Sequence, residues 1–304
     1  MKTALRLGCP SNRFRTMHFG PAAAVLLALL PYVTLADAPK PPASTSAPAS
    51  RPTSQAATGP AEAYSAFPFD AGEALRRQNE TAKTLGIPKD VVIDLGNKVS
   101  MKFILIPAGK FMAGQREVVI TQPYYLAVYK VTQAQYEQVM GTNPSSVKGK
   151  QFPVNSVTWR DAVDFARKAS TKTGKNIHVP TESQWDNACR AGANTKYFWG
   201  DDESKLGDYC WYRENMGGTM HAVGLKKPNA WGLYDINGLM WEPCRIGNAD
   251  PGDTQAETVK DYVLRGATWG SRPPMFVLGV SMPATEGSAQ GMDRFGMRMS
   301  MDVK

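Results

Sequence analysis

The second half of the chain contains little that could form regular secondary structure. From Ala193 onward helical periodicity fades, and the sequence becomes rich in Gly, Asn, Trp and Tyr, with only short runs suited to strands. Such a segment must be held together by turns, buried aromatic rings or ions, because it offers few long elements to pack. We therefore expect a loop-rich domain, and we find no internal repeat at the periods of solenoids or propellers.

Regular elements are predicted upstream of this segment. Asp70 is suited to cap a helix over residues 74–83, and Gly86 is suited to stop it. Two β-type runs at 91–95 and 101–106 are separated by a Gly-Asn turn, which predicts a hairpin.

Three threonines mark the starts of further helices. Thr132 and Thr158 each precede a run with helical periodicity. Thr181 is followed three residues later by Gln184, the pattern of a capping box. His178, just before this third helix, falls in a predicted short strand.

The first 36 residues predict a signal peptide. Four basic residues without a single acid precede the apolar run 22–30, and small residues around Ala36 offer a cleavage site. The alternative is an uncleaved membrane anchor, which the short run and the helix-breaking Pro31 disfavour. We therefore expect a secreted or periplasmic protein without a membrane span after cleavage.

Residues 37–65 are almost entirely Ala, Pro, Ser, Thr and Gly. This composition cannot bury enough apolar surface to offset its conformational entropy, so it predicts a disordered linker. A wall-spanning or glycosylated stalk has the same composition and stays open as an alternative. The folded part is then expected as an N-terminal helix and lead-in strand over 66–100, followed by the main domain over 101–304.

The charge of the chain does not favour nucleic-acid binding. The leader carries four of the eight net positive charges, which leaves a formal +4 on the mature chain. No block of Lys and Arg remains that would track a phosphate backbone, and Lys226 and Lys227 beside Pro228 are predicted to form a solvated turn.

Several separated stretches carry a resemblance to a known family. They include VPTESQW at 179–185 and NAWGLYDING at 229–238, the latter followed by Trp241 and Glu242. The remaining stretches are 103–114, 124–133, 153–159, 189–192, 265–269 and 294–298. In this order, over roughly 200 residues, they resemble the formylglycine-generating (sulfatase-modifying factor) family.

The resemblance implies an α+β domain, a variant of the C-type-lectin-like fold with little regular secondary structure. Members of the family oxidise a cysteine or serine of a sulfatase to formylglycine with molecular oxygen, and the aerobic members bind copper through two cysteines. Counting from Thr268, the matching positions here are Ser271 and Phe276, and no cysteine lies between Gly266 and Lys304. Because a Cu(I) bis-thiolate site needs two sulfurs, we expect neither copper nor catalytic residues of the family type, which would make the chain a pseudoenzyme.

The remaining sulfur and imidazole ligands offer no replacement. His178 and His221 lack a partner at helical spacing and are interpreted as structural. Cys189 matches a cysteine of the family and is predicted to be a buried free thiol. For Cys210 and Cys244 a disulfide is the expectation.

The resemblance also implies a structural calcium site. The family binds the ion through a side chain at Asp235, main-chain oxygens at Gly238 and Met240, and a carboxylate at Glu242, in keeping with the hard oxygen ligands that calcium prefers. Lys130 departs from the family pattern, where a glutamate is usual. The alternative is that Asp235 is a turn residue and Glu242 a buried acid that pairs with an arginine.

Three functions are compatible with these observations. The favoured one is a non-oxidase member that binds a peptide, protein or glycan in a surface groove. The second is an active formylglycine-generating oxidase that uses unrecognised ligands. The third is a calcium-stabilised, lectin-like glycan binder that uses the region of Trp211 and Tyr212.

Overall fold

The computed structural model describes residues 64–246, 261–286 and 293–303. The predicted signal peptide and the linker up to residue 63 lie outside the described residues. Tyr64, the first described residue, is buried, and its carbonyl oxygen accepts a hydrogen bond from Lys110 N at 3.4 Å. The folded body therefore includes Tyr64, two residues before the predicted boundary.

The first helix, α1 (Ala71–Leu85), confirms the prediction from its caps. The Asp70 side chain accepts a hydrogen bond from Glu73 N, and Gly86 ends the helix in the left-handed conformation with φ of 64°. A glycine adopts this conformation without steric cost, which explains the stop. One face of α1 is buried against the body.

The three threonine caps are also confirmed. Thr132, Thr158 and Thr181 each accept a hydrogen bond from the backbone three residues on, and the side chain at that position bonds back to the cap. The helices are α2 (Gln133–Met140), α3 (Trp159–Thr173), α4 (Glu182–Arg190) and the short α5 (Leu206–Tyr209). No helix in the described ranges is both long and apolar enough to cross a membrane.

Within the described ranges, short strands form three separate antiparallel sheets. The strands are β1 (Asp90–Asp94), β2 (Ser100–Ile106), β3 (Gly109–Ala113), β4 (Arg116–Ile120), β5 (Tyr124–Ala127), β6 (Ile177–His178), β7 (Glu242–Arg245), β8 (Asp261–Arg265), β9 (Ser281–Thr285) and β10 (Ser300–Asp302). The largest sheet has the order β1-β2-β5-β10-β6, while β3 pairs with β4, and β7, β8 and β9 form the third sheet. The predicted hairpin is β1-β2, with Val92 opposite Lys102.

The five-stranded sheet separates two apolar clusters. Successive side chains of a strand point to opposite faces, so β2 contributes to both. Phe103 and Leu105 pack in one cluster with Phe165 of α3, whereas Ile104 packs in the other with Trp185 of α4. The sheet is therefore covered on both faces.

The loop-rich half is attached to this sheet by main-chain hydrogen bonds. Tyr234 N donates to Val128 O at 3.0 Å, and Trp241 N donates to Arg294 O at 3.0 Å. Residues 235–242, here called the 235–242 turn, are thereby held between the end of β5 and the segment that leads into β10. This placement creates the buried cluster described next.

Candidate functional site

A fully buried carboxylate lies at the end of the 235–242 turn. Lys130 Nζ lies 2.5 Å from Glu242 Oε1, and Arg298 Nε lies 3.0 Å and 3.1 Å from the two carboxylate oxygens. Trp185 Nε1 donates to Oε2 at 2.5 Å. The side chains of Lys130, Glu242 and Arg298 are all fully buried. A carboxylate can accept about four hydrogen bonds, so these four contacts fill the acceptor sites of Glu242.

The two cations of this cluster also bind main-chain oxygens. Lys130 Nζ donates to Met240 O at 2.9 Å. The Arg298 guanidinium donates to two carbonyls at the end of β5, at 2.8 Å and 3.0 Å, and to Tyr234 O at 2.8 Å. The cluster therefore fastens the 235–242 turn to the central sheet.

The charges of the cluster stabilise one another. Burial on its own raises the pKa of Glu242, but the Arg298 and Lys130 charges outweigh it and leave the pKa of this carboxyl below its usual value. Burial lowers the pKa of Lys130, and the Glu242 carboxylate opposes that change. Asp235 lies close enough to interact electrostatically with these groups, and its burial raises the pKa of its carboxyl. Two cations and two acids thus share one buried region.

The remaining predicted calcium ligands lie in the same turn. Asp235 Oδ2 accepts a hydrogen bond from Gly224 N at 2.7 Å, whereas Oδ1 has no hydrogen-bond partner among the described residues. Gly238 O accepts from Met240 N at 2.7 Å.

As arranged, these residues do not fit a calcium ion. The oxygens of Glu242 and the carbonyl of Met240 are bound by nitrogen donors, and calcium requires six to eight oxygen ligands. Within 64–246, 261–286 and 293–303, no group of three or more His, Cys, Asp or Glu residues is arranged to hold a metal ion. The alternative interpretation of Glu242, a buried acid paired with an arginine, describes its contact with Arg298.

The two positions that the sequence predicts to correspond to the copper-binding cysteines of the family have structural contacts. Ser271 Oγ accepts a hydrogen bond from Thr268 N at 3.1 Å. Phe276 is fully buried and packs edge to face on Tyr212, with 6.0 Å between ring centroids. Its carbonyl accepts a hydrogen bond from Asn237 Nδ2 at 2.7 Å. The Phe276 ring therefore fills an apolar cluster.

The three cysteines in the described part of the chain are free and buried. The prediction for Cys189 is confirmed, while the expected Cys210–Cys244 disulfide is wrong. Cys210 packs in the apolar cluster that contains Phe276, whereas Cys244 packs in the cluster on one face of the central sheet. Burial raises the pKa of Cys189 to about 12 and also raises the pKa of the other two thiols, which disfavours their thiolate forms.

The histidines lie in separate, structural surroundings. His178 Nε2 lies 2.9 Å from Asp302 Oδ1. The His221 ring stacks on Trp211 with 3.6 Å between centroids, and Lys226 Nζ lies 4.0 Å from the centroid of the same indole. Since a ring stacked this closely leaves no space on its own side, the two groups cover opposite faces of Trp211. Lys226 is thus packed on a ring, which corrects the prediction of a solvated position for this lysine, whereas Lys227 is exposed as predicted.

A cavity of about 330 Å³ opens beside Ser271. Its wall includes Trp269, two residues before this serine, and Arg213, whose N donates to Ser271 O at 3.2 Å. Two buried donors in the wall, Asn155 Nδ2 and Trp269 Nε1, have no protein acceptor among the described residues. We call this cavity the groove; its lining residues are Ser146, Val147, Asn155, Arg213, Met216, Gly218, Thr219, Met220, Trp269 and Asp293.

A larger cavity, of about 480 Å³, lies against α4 and β8. Its buried charges are paired within the wall: Arg265 Nη2 lies 2.6 Å from Asp186 Oδ1, and Arg190 Nε lies 3.3 Å from the same oxygen. The walls of both cavities thus contain buried donors without a hydrogen bond among the described residues; those of Arg190 and Arg265 lie within ion-pair distance of Asp186, whereas Asn155 Nδ2 and Trp269 Nε1 have no such neighbour.

Some residues of these sites were not singled out from the sequence. Arg298 and Lys130 both lie far from Glu242 in the chain, and only the unusual lysine gave a signal. Asn155 and Trp269 lie within stretches that resemble the family, and nothing in these stretches marks either residue as a binding residue. Their unpartnered donors become visible only in three dimensions.

The fold and the buried cluster define a loop-rich α+β domain of the kind that the sequence resemblance implied. The model of the sulfatase-modifying factor enzyme 1-like domain matches residues 95–303, and the chain belongs to this family. The mixed fold with little regular secondary structure is confirmed.

Several characterised proteins are similar to this chain. The chaperone protein LppX of Paenibacillus barcinonensis is 25% identical over 57% of this chain and 80% of its own length. The formylglycine-generating enzyme of Thermomonospora curvata is 31% identical over 42% of this chain and 43% of its own length. The inactive C-alpha-formylglycine-generating enzyme 2 of Bos taurus is 28% identical over 46% of each chain. The chain thus spans less than half the length of each of the last two relatives.

One solved structure shows the likeness in fold over most of the described part. The Treponema denticola variable protein 1 superimposes with a TM-score of 0.62 at 24% identity, covering 71% of this chain and 100% of its own.

Proposed function

We propose that this chain is an exported, non-oxidase member of the family that binds an extended peptide or protein segment in the groove beside Ser271. The export is proposed from the basic and apolar leader of the first 36 residues. The single observation that carries the function is the pair of unpartnered donors, Asn155 Nδ2 and Trp269 Nε1, in the groove wall.

The side-chain chemistry does not suit the oxidising centre of the family. A serine and a phenylalanine, Ser271 and Phe276, stand where the family binds copper with thiolates, and neither is a soft ligand for Cu(I). The three described thiols lie elsewhere, are buried and have raised pKa values. They therefore supply neither a converging pair of sulfurs nor an activated nucleophile.

The groove suits a ligand that carries hydrogen-bond acceptors. A buried donor without an acceptor costs on the order of 1–3 kcal/mol, which a bound carbonyl oxygen would recover. Met216 and Met220 provide adaptable apolar surface, while Arg213 and Asp293 place one charge of each sign on the rim. An extended peptide offers both carbonyl acceptors and alternating side chains for such a surface.

The names of two relatives support a role other than oxidation. LppX is called a chaperone protein, and the bovine relative is called an inactive enzyme. A glycan-binding role finds less support, because both faces of Trp211 are covered by His221 and Lys226 and so cannot stack on a sugar.

Direct binding to peptides tests the proposal. Fluorescence polarisation of labelled sulfatase-derived and unrelated extended peptides should reveal saturable binding to the full chain. Asn155→Asp keeps the oxygen that accepts from Ser146 N but replaces the donor with an acceptor, and Trp269→Phe removes the indole N–H. Both changes should weaken binding at least several-fold.

The matched control is Trp199→Phe, because the Trp199 N–H already donates to Asp202 O at 3.0 Å away from the groove. This variant should bind like the unmodified protein. Binding that is equal in all four proteins would show that the groove is not the ligand site, and no binding to any peptide would contradict the proposed class of ligand.

A further inference from the structure

We infer that the ammonium of Lys130 occupies the cation position of the 235–242 turn, so that this domain carries its own cation where its family resemblance implies calcium. The observation is the convergence of Met240 O and Glu242 Oε1 on Lys130 Nζ, at 2.9 Å and 2.5 Å. Met240 and Glu242 are two of the four residues expected to bind the metal.

The chemistry of the two oxygens suits either kind of cation. A main-chain carbonyl and a carboxylate are both hard oxygen ligands for calcium, and both accept hydrogen bonds from an ammonium. Lys130 is fully buried, and a buried ammonium must be paired because its desolvation is costly. The side chain therefore stays on these oxygens and excludes a metal ion from them.

The charge balance leads to the same conclusion. Lys130 and Arg298 provide two positive charges, and Glu242 and Asp235 provide two acidic groups. A calcium ion bound to the same oxygens would add two further positive charges beside a buried ammonium and guanidinium. Coulomb repulsion at such short distances in a low-dielectric interior strongly opposes this arrangement.

The role of the ammonium is to hold the turn. Met240 O is bound to Lys130, and Tyr234 O is bound to Arg298, so both ends of the turn are tied to cations next to the central sheet. Asp235 holds a neighbouring loop through Gly224 N at 2.7 Å. The loop-rich half thereby acquires a rigid centre from ionic contacts within the chain.

Metal analysis and thermal unfolding of the full chain test this inference. The protein is equilibrated with calcium chloride, passed through a desalting column and analysed for bound calcium, and its Tm is compared in calcium and in EGTA. We expect no stoichiometric calcium and the same Tm in both buffers. About one calcium ion retained per chain, or a lower Tm in EGTA, would overturn the inference.

A charge reversal gives a second, independent readout. Lys130→Glu replaces the ammonium with a third carboxylate beside Asp235, Glu242 and the Met240 carbonyl, which makes an oxygen-rich cluster that needs a cation. The Tm of this variant should rise on addition of calcium and fall in EGTA. Lys175→Glu, at an exposed lysine, is the matched control and should not respond. A folded Lys130→Glu protein with the same Tm in calcium and in EGTA would contradict the inference.

Lys130→Met keeps the apolar stem of the side chain and removes only the charge. It should lower the Tm in both buffers, because Met240 O and Glu242 Oε1 lose a donor. A Tm equal to that of the unmodified protein would show that the ammonium does not support the turn. This variant and the unmodified protein decide the question even where Lys130→Glu fails to fold in both buffers.

Discussion

Replacement of Glu242 by glutamine should strongly destabilise the domain. Glutamine keeps the shape of the side chain but removes the charge that neutralises Lys130 and Arg298, which are fully buried. Its amide nitrogen also replaces one acceptor oxygen with a donor, so that at least one of the nitrogen partners is left without an acceptor. Asp235 is then the one acidic group of this cluster that can balance the charges of Lys130 and Arg298.

The expected cost follows from the burial of the group. Removing one partner of a buried ion pair typically costs about 3–5 kcal/mol, because the other charge is left uncompensated. In a domain of this size each 1 kcal/mol corresponds to roughly 2–4 °C in Tm. Glu242→Gln should therefore lower the Tm by roughly 6–20 °C.

Urea and thermal unfolding of the two proteins at pH 7 measure this difference. The control is Glu286→Gln, because Glu286 lies 3.0 Å from Arg160 in an exposed ion pair of the kind that contributes about 0–1 kcal/mol. A loss of less than about 1 kcal/mol in Glu242→Gln, comparable to the control, would refute the reasoning that the buried charges depend on this carboxylate.

Three further outcomes are expected. The difference in free energy of unfolding between the unmodified protein and Glu242→Gln should narrow as the pH falls below 4.5, because the lowered folded-state pKa of Glu242 stabilises the fold only while the carboxyl is ionised. A difference that stays constant down to acid unfolding would contradict this. Phe276→Ala should lower the free energy of unfolding in urea by about 3–5 kcal/mol, whereas Val92→Ala, at an exposed site, should change it by no more than about 0.5 kcal/mol. A similarly small loss for Phe276→Ala would mean that the ring is not part of the core. A thiol reagent followed by peptide mapping should label Cys189, Cys210 and Cys244 only after unfolding, because these thiols are buried. Rapid labelling of these residues in the native protein would disprove their burial.

The regular part of the fold was predictable because its signals are local. The three capping threonines, Thr132, Thr158 and Thr181, bond to residues only three positions away, so the sequence contains both partners in one short window. The stop at Gly86 is likewise a property of one residue. Such signals do not depend on the tertiary structure.

The buried cluster and the groove depend on contacts between distant segments. Glu242 is separated by 112 positions in the sequence from Lys130 and by 56 from Arg298, although it contacts both side chains. Pattern and spacing cannot determine such pairings, although the lysine was recognisable as unusual. The expected Cys210–Cys244 disulfide failed for the same reason, because only the fold shows that the two thiols belong to different apolar clusters.

We propose that this family member binds a partner but does not oxidise it. The most direct test titrates the aerobically purified chain with Cu(I) and then assays formylglycine formation on a cysteine-containing sulfatase peptide. With Ser271 and Phe276 in place of thiolates, we predict peptide without aldehyde and no stoichiometric copper. Copper-dependent aldehyde formation would contradict the proposed non-oxidase function.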